Sequence, residues 1–257
     1  MKNLFASSTH GAQLFLLLSA IASIAGMLTF GITTNAVLLT TLGYFCYGCL
    51  GVVVTFHRGL THESYQTHPR ITEIFALLGC LGGTGSPLAW VAIHINHHLK
   101  SDKPGDPHSP RHKGFKIFAL DYENQISKST KWRMRSIITN PYYQFLHRYY
   151  FLIFLSWSLI LYIIGGVWLV VYLHLLPATI TALMSNIVNY VGHKPNLVGG
   201  FRTYNLTDDS TNNWIWAIPS WGESWHNNHH RYPRHYSLGR KWWQLDISAW
   251  VIKMIKI

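Results

Sequence analysis

Two long stretches of the chain contain no charged residue. Lys, Arg, Asp and Glu are absent between Lys2 and Arg58, and again throughout residues 149–192. Each stretch is long enough for two membrane-spanning helices of about 20 residues. A helix on the surface of a soluble protein would show a charged stripe toward water, and neither stretch has one. The pattern therefore predicts membrane helices rather than a buried soluble bundle.

Short polar breaks divide each stretch in two. The first break is GITTN, residues 31–35, and the second lies near residues 174–177. Apart from the N-terminal lysine, all basic residues lie in residues 57–149 and 191–257, so the positive-inside rule places these segments in the cytoplasm. We expect an all-α polytopic membrane protein, a single domain over residues 1–257, with a cytoplasmic helical cap. Its four predicted transmembrane helices cover residues 11–30, 36–56, 150–172 and 178–190.

A fifth uncharged segment, residues 74–93, is also about as long as one span. It contains several glycines and Pro87, which break a regular helix. A crossing here would place the histidines on its two sides on opposite faces of the membrane. We therefore expect an interfacial or re-entrant segment that packs under the cap.

The charge balance adds a basic surface to this picture. Only 12% of the residues are charged, and the formal net charge is +11. The basic cytoplasmic face suits anionic lipid headgroups, an acidic redox partner or a phosphate-bearing substrate. No recognised nucleic-acid-binding motif accompanies the charge. Cys46 and Cys49 form a CxxC inside an apolar span, where we expect them to pack rather than to form a redox pair.

Histidines are the candidate functional residues of the cap. The chain has 16 histidines, and many of them fall in short groups at the cytoplasmic side of the predicted topology. On an α-helix, positions i, i+3 and i+4 share a face, so each of the two HxxHH motifs points three imidazoles one way. The groups are HRGLTH with His57 and His62, HINHH with His94, His97 and His98, NYVGH with His193, and HNNHH with His226, His229 and His230.

So many imidazoles predict metal binding. Each buried imidazole without a partner would cost about 1–3 kcal/mol, and a metal ion supplies that partner. Nine imidazoles are too many for one ion, so we predict two. Imidazole suits zinc, copper, iron and nickel, so the ligand type alone does not choose the metal. His57 and His62 would diverge on a regular helix, and we expect the helix to end or bend between them.

These groups resemble the boxes of the membrane fatty acyl desaturases, the delta-9 family that includes stearoyl-CoA desaturase and acyl-lipid enzymes. The resemblance rests on HRGLTH, on HINHH followed by DPHSP, on NYVGH, and on GESWHNNHH. It implies two iron ions, with O2 as co-substrate, that introduce a cis double bond at delta-9 of a saturated acyl chain bound to CoA or to a lipid. The resemblance also implies that the nine histidines named above are the ligands, and that Asn189 reaches one iron through water, with Asn186 as an alternative.

Further roles follow for residues near the boxes. Glu223 and Asp106 sit beside histidine groups, where we expect hydrogen bonds that orient imidazoles, although Asp106 could equally be a turn or capping carboxylate. The resemblance implies a substrate tunnel in which Phe45 and Cys49, on one face of the second span, limit the chain length. It also suggests that Trp90 lines the bend of the tunnel, although ordinary packing would explain it almost as well.

The reaction implied by the resemblance needs a source of electrons. Since the chain shows no haem, flavin or nicotinamide motif, we expect a separate donor such as ferredoxin or a small cytochrome on the basic face. We expect a multi-pass protein of a bacterial cytoplasmic (inner) membrane. A di-iron membrane hydroxylase or ketolase of alkyl or carotenoid substrates is the nearest alternative. A non-catalytic, zinc-stabilised membrane protein is an alternative of another class.

Overall fold

The computed structural model describes the backbone of residues 2–119 and 127–257, and the side chains of residues 14–118 and 127–257. The start of the first predicted span, residues 11–13, therefore lies outside the described side chains. The described chain is mostly helical and contains one two-stranded ribbon. The prediction of a helical fold is confirmed for these residues.

The helices fall into an apolar bundle and a polar cap. The bundle comprises α1 (Lys2–Phe30), α2 (Thr34–Tyr44) with the π-helix Phe45–Thr61 that continues it, α9 (Tyr150–Val170), the π-helical segment Val171–Leu175, and α10 (Leu176–Gly192). The remaining elements are α3 (Pro69–Cys80), α4 (Pro87–Lys100), α5 (Pro110–Lys113), the 3-10 helix Gly114–Ala119, α6 (Lys128–Arg133), α7 (Arg135–Ile138), α8 (Pro141–Arg148), β1 (Gly200–Phe201), β2 (Asn212–Asn213), α11 (His226–Arg231) and α12 (Ile247–Ile255).

Two helical stretches of the described chain are, by length and composition, apolar enough to cross a membrane. They are Thr34–Thr61 and Tyr150–Gly192. The described apolar part of α1, Leu14–Phe30, is shorter. Many apolar side chains on these helices are exposed, among them Leu28 and Ile163. Such a surface fits a lipid environment.

The longer stretch reverses direction at a glycine pair, so the predicted division near residues 174–177 is wrong. Gly165 and Gly166 have non-helical dihedral angles, and the φ of +65° at Gly166 is one that glycine adopts without steric cost. Beyond this turn His174 packs against α9: its Nδ1 lies 2.9 Å from the Ser158 hydroxyl, and its ring centroid lies 3.9 Å from that of Phe154.

Pro177 fails to break the helix because the chain compensates for its missing N–H group. Proline deprives the carbonyl one turn earlier of a hydrogen bond. The Leu173 carbonyl instead accepts a bond of 2.9 Å from the Tyr47 hydroxyl, and the Tyr172 carbonyl accepts one of 3.0 Å from Thr40. The π-helical segment just before Pro177 widens the turn at the same place. The helix can therefore run on to Gly192.

The segment over residues 74–93 does break, as predicted. α3 ends at Cys80, and α4 begins at Pro87, where the Ser86 hydroxyl accepts a hydrogen bond from the Ala89 N–H. Proline at the first helical turn needs no hydrogen-bond donor, which explains where α4 starts. The break lets α4 lie beside the π-helix and present its histidines.

A hydrophobic core fixes the position of α4 against its neighbours. Val52 and Phe56 of the π-helix pack with Ala76 of α3, Val91 of α4 and Leu146 of α8, and all five are buried. Because protein interiors are close-packed, this contact sets the relative positions of the histidines on the π-helix and on α4.

Asparagines hold α11 in place from the other side. β1 and β2 pair antiparallel, with Gly200 opposite Asn213, and Asn212 also bridges to Trp225 at the start of α11. The Asn227 side chain accepts hydrogen bonds from the backbone of residues 203 and 204. The two asparagines of HNNHH thus bind surrounding loops, while the histidines face the other way.

Candidate metal centre

The nine predicted histidines lie together in two groups. In each group the candidate ligand atoms lie within 4.8 Å of one another, and most of the rings are buried. We call the groups cluster 1 and cluster 2. Cluster 1 contains His57, His62, His94, His98 and His229, and cluster 2 contains His97, His193, His226 and His230.

Each HxxHH motif is shared between the two clusters, which refines the expectation that it points three rings one way. On α4, His94 and His98 belong to cluster 1, whereas His97 belongs to cluster 2. On α11 the assignment is reversed, because His226 and His230 belong to cluster 2 and only His229 faces cluster 1. Positions i and i+4 are neighbours on the helix surface, and i+3 lies slightly to one side of them. One helical turn can therefore serve two adjacent sites.

The π-helix brings His57 and His62 together. The helix ends between them, as expected, because Thr61 is its last residue; the N–H of the next residue, His62, donates a 3.2 Å hydrogen bond to the His57 carbonyl. In a π-helix the bond joins residues five apart, so these residues lie one above the other. Their ring centroids are 4.9 Å apart. The π-helical winding before this end lets the two rings converge.

Carboxylates fix the orientation of four rings. Asp106 lies 2.8 Å from His97 Nδ1, Asp102 lies 2.8 Å from His193 Nδ1, and Asp208 lies 2.8 Å from His230 Nδ1. Glu223 pairs in the same way with Nδ1 of His57. Since an ionised carboxylate can only accept a hydrogen bond, the neutral form of each of these rings carries its proton on Nδ1 and keeps the lone pair on Nε2.

Two of these carboxylates could not be found from the sequence. Glu223 and Asp106 stand near the histidine motifs HNNHH and HINHH in the sequence, and in the fold they pair with His57 and His97. Asp102 and Asp208 lie in turn-rich stretches, SDKPGDP and TDDS, where acidic residues are common. Asp102 reaches His193 across the fold, and no local spacing indicates that contact.

Burial keeps most of the histidine rings neutral. Desolvation, reinforced by neighbouring imidazoles, lowers the pKa of five rings well below the ordinary histidine value. A neutral imidazole is the form that binds a metal ion. The five rings are His62, His94, His98, His226 and His229.

The orienting carboxylates are ionised. Burial alone would raise the pKa of Asp102, but its bonds with His193, Ser109 and the Asp209 N–H lower it to about 2. The pKa values of Asp106 and Asp208 are also lowered, because the bonds with His97 and His230 outweigh the effect of burial. Anionic carboxylates next to the rings favour bound cations.

The facing nitrogen atoms fit metal ions better than they fit hydrogen bonds. In cluster 2, His226 Nε2 lies 3.0 Å from His193 Nε2 and 3.1 Å from His230 Nε2. Both of those partners carry their proton on Nδ1, so the single proton available to His226 Nε2 leaves one contact between two lone pairs. Two nitrogens bound at about 2.1 Å to one ion, at right angles, would lie about 3.0 Å apart.

Other atoms of both clusters show the same need for a cation. His97 Nε2 is buried and has no hydrogen-bond partner among the described residues. In cluster 1, four successive Nε2 separations of 3.0–3.2 Å connect His57, His229, His98, His94 and His62. The donor set therefore fits one metal ion in each cluster.

A close backbone approach lets cluster 2 form. A Cβ atom added to Gly192 would lie 2.7 Å from Cδ2 of the His226 ring. Glycine at this position therefore leaves the space that the ring occupies, next to His193. Gly192 is the glycine of the NYVGH motif. The sequence alone does not show why glycine is needed there, because the contact is with His226 of α11.

A buried arginine ties cluster 1 to the C-terminal helix. Arg58 is 1% exposed and donates hydrogen bonds of 3.0 and 2.8 Å to Glu223 and of 2.9 and 3.0 Å to Asp246. Asp246 also caps α12 by accepting a bond from the Ala249 N–H. Because Glu223 holds His57, this network connects the metal centre with α12.

An apolar cavity opens onto both clusters. Its wall includes His57 and His94 from cluster 1 and His226 from cluster 2, together with Asn186 and Asn189. Trp90 lines the cavity and stacks on His94 with 4.8 Å between ring centroids. The rest of the wall is mostly apolar, which suits a hydrocarbon chain.

Phe45 and Cys49 do not line this cavity, so the predicted tunnel face must be corrected. They pack with Val54 and with Ile252 of α12. Phe45 and Cys49 lie on the same face as His57 only if the helix has α-helical spacing. The helix from Phe45 to Thr61 is instead a π-helix, which has more residues in each turn. The face that reaches the cavity is displaced by one residue. It comprises Tyr44, Gly48 and Val52.

Comparison with known proteins identifies the family that the chain resembles. The profile of the fatty acid desaturase family matches residues 33–253. An sn-1 stearoyl-lipid 9-desaturase of Anabaena variabilis is 34% identical over 228 residues, covering 86% of this chain and 81% of the relative. An sn-2 palmitoyl-lipid 9-desaturase of Nostoc sp. (strain 36) is 32% identical, with 83% and 75% covered. An acyl-CoA C20 Delta5-desaturase of Anemone leveillei is 34% identical, with 83% and 68% covered.

Replacing Asp208 with asparagine should weaken cluster 2. Asp208→Asn removes the charge that orients His230, and the loss of such a partner typically lowers metal affinity about 10- to 100-fold. We expect the metal content of the purified protein, measured by mass spectrometry of the elements, to fall from two ions per chain toward one. Asp209→Asn is the matched control, since the neighbouring side chain pairs with the exposed Arg111. Equal metal content in both variants would contradict this role.

Replacing Arg58 should destabilise the fold strongly. Arg58→Met leaves Glu223 and Asp246 buried without a counter-charge, which typically costs about 3–5 kcal/mol. Thermal unfolding in detergent should show a clearly lower midpoint. Arg111→Met removes an arginine that is 53% exposed and should cost less than about 1 kcal/mol. Similar midpoints for the two variants would show that the Arg58 network is unimportant for stability.

Proposed function

This chain belongs to the fatty acid desaturase family, and we propose that it is an oxygen-dependent di-iron desaturase that introduces a cis double bond at delta-9 of a saturated acyl chain. The substrate would be an acyl-lipid or an acyl-CoA. The observation that carries the proposal is the placement of two all-histidine clusters, side by side, on the wall of an apolar cavity.

The reaction requires a redox metal centre. The methylene groups of a saturated chain have no acidic proton, so a side-chain base cannot remove their hydrogens. Two iron ions would supply, together with O2 and two electrons, the oxidation that removes one hydrogen from each of two adjacent carbons. In this proposal the nine histidines hold the ions, and Asn189, with Asn186 as the alternative, reaches one of them through water.

Iron is favoured over structural zinc by the shape of the ligand set. Structural zinc sites are usually closed sets of four ligands that often include cysteine. Cluster 1 offers five imidazoles, and the three cysteines of the chain lie outside both clusters. A cavity that reaches the ligands gives a substrate access, which a purely structural site does not need.

The side chains of the cavity would position the substrate. The flat stack of Trp90 on His94 forms a wall beside cluster 1. The face with Gly48 and Val52 leads along the π-helix away from the histidines and would hold the methyl end of the chain. Fixing the chain in this way selects which pair of carbons faces the metal ions.

The topology proposed for the protein has four spans in one membrane domain. The turns at residues 31–33 and 165–166 lie at one end of the bundle, and the histidine clusters lie at the other end. Neither turn contains a basic residue. The positive-inside rule then supports a site on the cytoplasmic side. The membrane proposed is the bacterial cytoplasmic (inner) membrane.

The electrons would come from a separate acidic protein such as a ferredoxin or a small cytochrome. Arg231 and Arg234 are exposed directly after the histidines of α11. A donor that docks there would lie close to the metal centre, and the net charge of +11 would assist its approach.

Expression in a bacterial host that makes no unsaturated fatty acids tests the proposed reaction. With iron and O2 supplied, we expect lipids with one cis double bond at delta-9, located by mass spectrometry, and none when His94 and His97 are both replaced by alanine. A hydroxylated product would identify the hydroxylase alternative. A protein that contains zinc and consumes no O2 would contradict the proposal.

Filling the cavity beside Gly48 should shorten the preferred chain. A Cβ atom at Gly48 would lie 2.8 Å from the Tyr44 ring and 3.2 Å from the Thr181 hydroxyl, so Gly48→Val narrows the cavity. We expect the ratio of shorter to longer unsaturated products to rise several-fold. Cys49→Val adds bulk one residue away and outside the cavity, and it should leave the ratio unchanged. A shift caused by Cys49→Val alone would restore the tunnel face first predicted.

A further inference from the structure

The C-terminal segment, residues 239–257, exposes a set of large apolar side chains. Trp242 is 93% exposed and Met254 is 77% exposed, which is unusual for such residues in water. Both belong to what we call the C-terminal face. It comprises the exposed residues Lys241, Trp242, Trp243, Leu245, Trp250, Lys253, Met254, Lys256 and Ile257.

The charges on this face are all of one sign. Lys241, Lys253 and Lys256 are exposed, whereas Asp246, the single acidic residue of the segment, is buried against Arg58. Aromatic and aliphatic side chains interleaved with lysines are typical of segments that lie in the interface of a membrane. The lysines complement the anionic phosphates of lipid headgroups.

The contacts on the opposite side of α12 indicate where the C-terminal face lies relative to the candidate span. Val251 and Ile252 pack against Cys49 and Val54, which belong to the candidate span Thr34–Thr61. The end of the segment is attached near the same helix, because the Ile257 N–H donates a 3.0 Å hydrogen bond to the Gln66 carbonyl. α12 therefore lies along the span and not above it.

We propose that the C-terminal face is seated in the cytoplasmic interface of the bilayer, with its aromatic and aliphatic side chains among the acyl chains and its lysines at anionic headgroups. This inference rests on the membrane topology proposed above. It adds a lipid contact made by the cap itself, beside the contacts made by the bundle. A soluble protein partner fits less well, since the helix that α12 covers is itself apolar enough to cross the membrane.

The contact between the C-terminal face and the bilayer would also set the position of the metal centre. Asp246 caps α12 through the Ala249 N–H and binds Arg58, and Arg58 binds Glu223, which pairs with His57. A lipid contact on α12 therefore connects to cluster 1 through a short series of buried ionic bonds. This connection would hold the cavity at a fixed depth relative to the acyl chains.

Spin labels on full-length protein in vesicles of neutral and anionic phospholipid test the proposal. Labels at Met254→Cys and Trp250→Cys should be relaxed by O2, which concentrates in lipid, and shielded from a water-soluble nickel chelate. Leu38→Cys, an exposed position in the span Thr34–Thr61, serves as the lipid control. Asn205→Cys, exposed in the cap, serves as the water control. Unmodified protein gives the background from the native cysteines.

The outcomes separate this inference from the topology on which it rests. If the labels at 250 and 254 are relaxed like the water control while the label at Leu38→Cys is relaxed as in lipid, the C-terminal face does not lie in the bilayer. That result would overturn the proposal without contradicting the proposed spans. A water-exposed label at Leu38→Cys would overturn the topology itself. Anionic vesicles should draw the Met254→Cys label deeper, and replacing Lys241, Lys253 and Lys256 with glutamine should abolish that difference. An equal depth in both lipids would overturn the role of the lysines.

Discussion

The fold depends on the convergence of nine imidazoles, most of them buried, in two adjacent clusters. Their Nε2 atoms approach to 3.0–3.2 Å, and carboxylates already hold the Nδ1 protons of several rings. Nitrogen lone pairs at such distances repel one another unless cations lie between them. The arrangement therefore fits metal ions more specifically than the histidine count does, because the carboxylates fix the direction of four of the rings.

Many of the ion pairs around the clusters hold the imidazoles in this arrangement. Asp102 joins the loop after α4 to His193 at the end of α10, and Asp208 joins the loop before β2 to His230 of α11. Arg58 neutralises Glu223 and Asp246, and the same aspartate starts α12. Elements that are distant in sequence are thus held by ionic bonds at the metal centre. Apolar packing on the π-helix fixes the remaining positions.

The sequence is informative where chemistry is local and less so where it depends on winding or on distant loops. The HxxHH motifs predict the histidine clusters because one α-helical turn already brings three imidazoles to neighbouring positions, and the desaturase resemblance rests in part on those motifs. The tunnel face was displaced by one residue because nothing in FCYGCLGVVVTFH announces a π-helix. The turn at Gly165 and Gly166 was missed because Pro177 is the stronger local signal, and Tyr47 removes its penalty from another helix. The pairing of Asp102 with His193 and of Asp208 with His230 could not be predicted, because these residues are far apart in sequence.

The measurement that tests the central claim most directly is X-ray absorption spectroscopy of the purified protein at the iron and zinc edges. We expect iron at two ions per chain, with a first shell dominated by imidazole nitrogen and the outer-shell scattering that imidazole rings produce. A zinc edge without iron, or a first shell of sulfur or of carboxylate oxygen, would contradict the account.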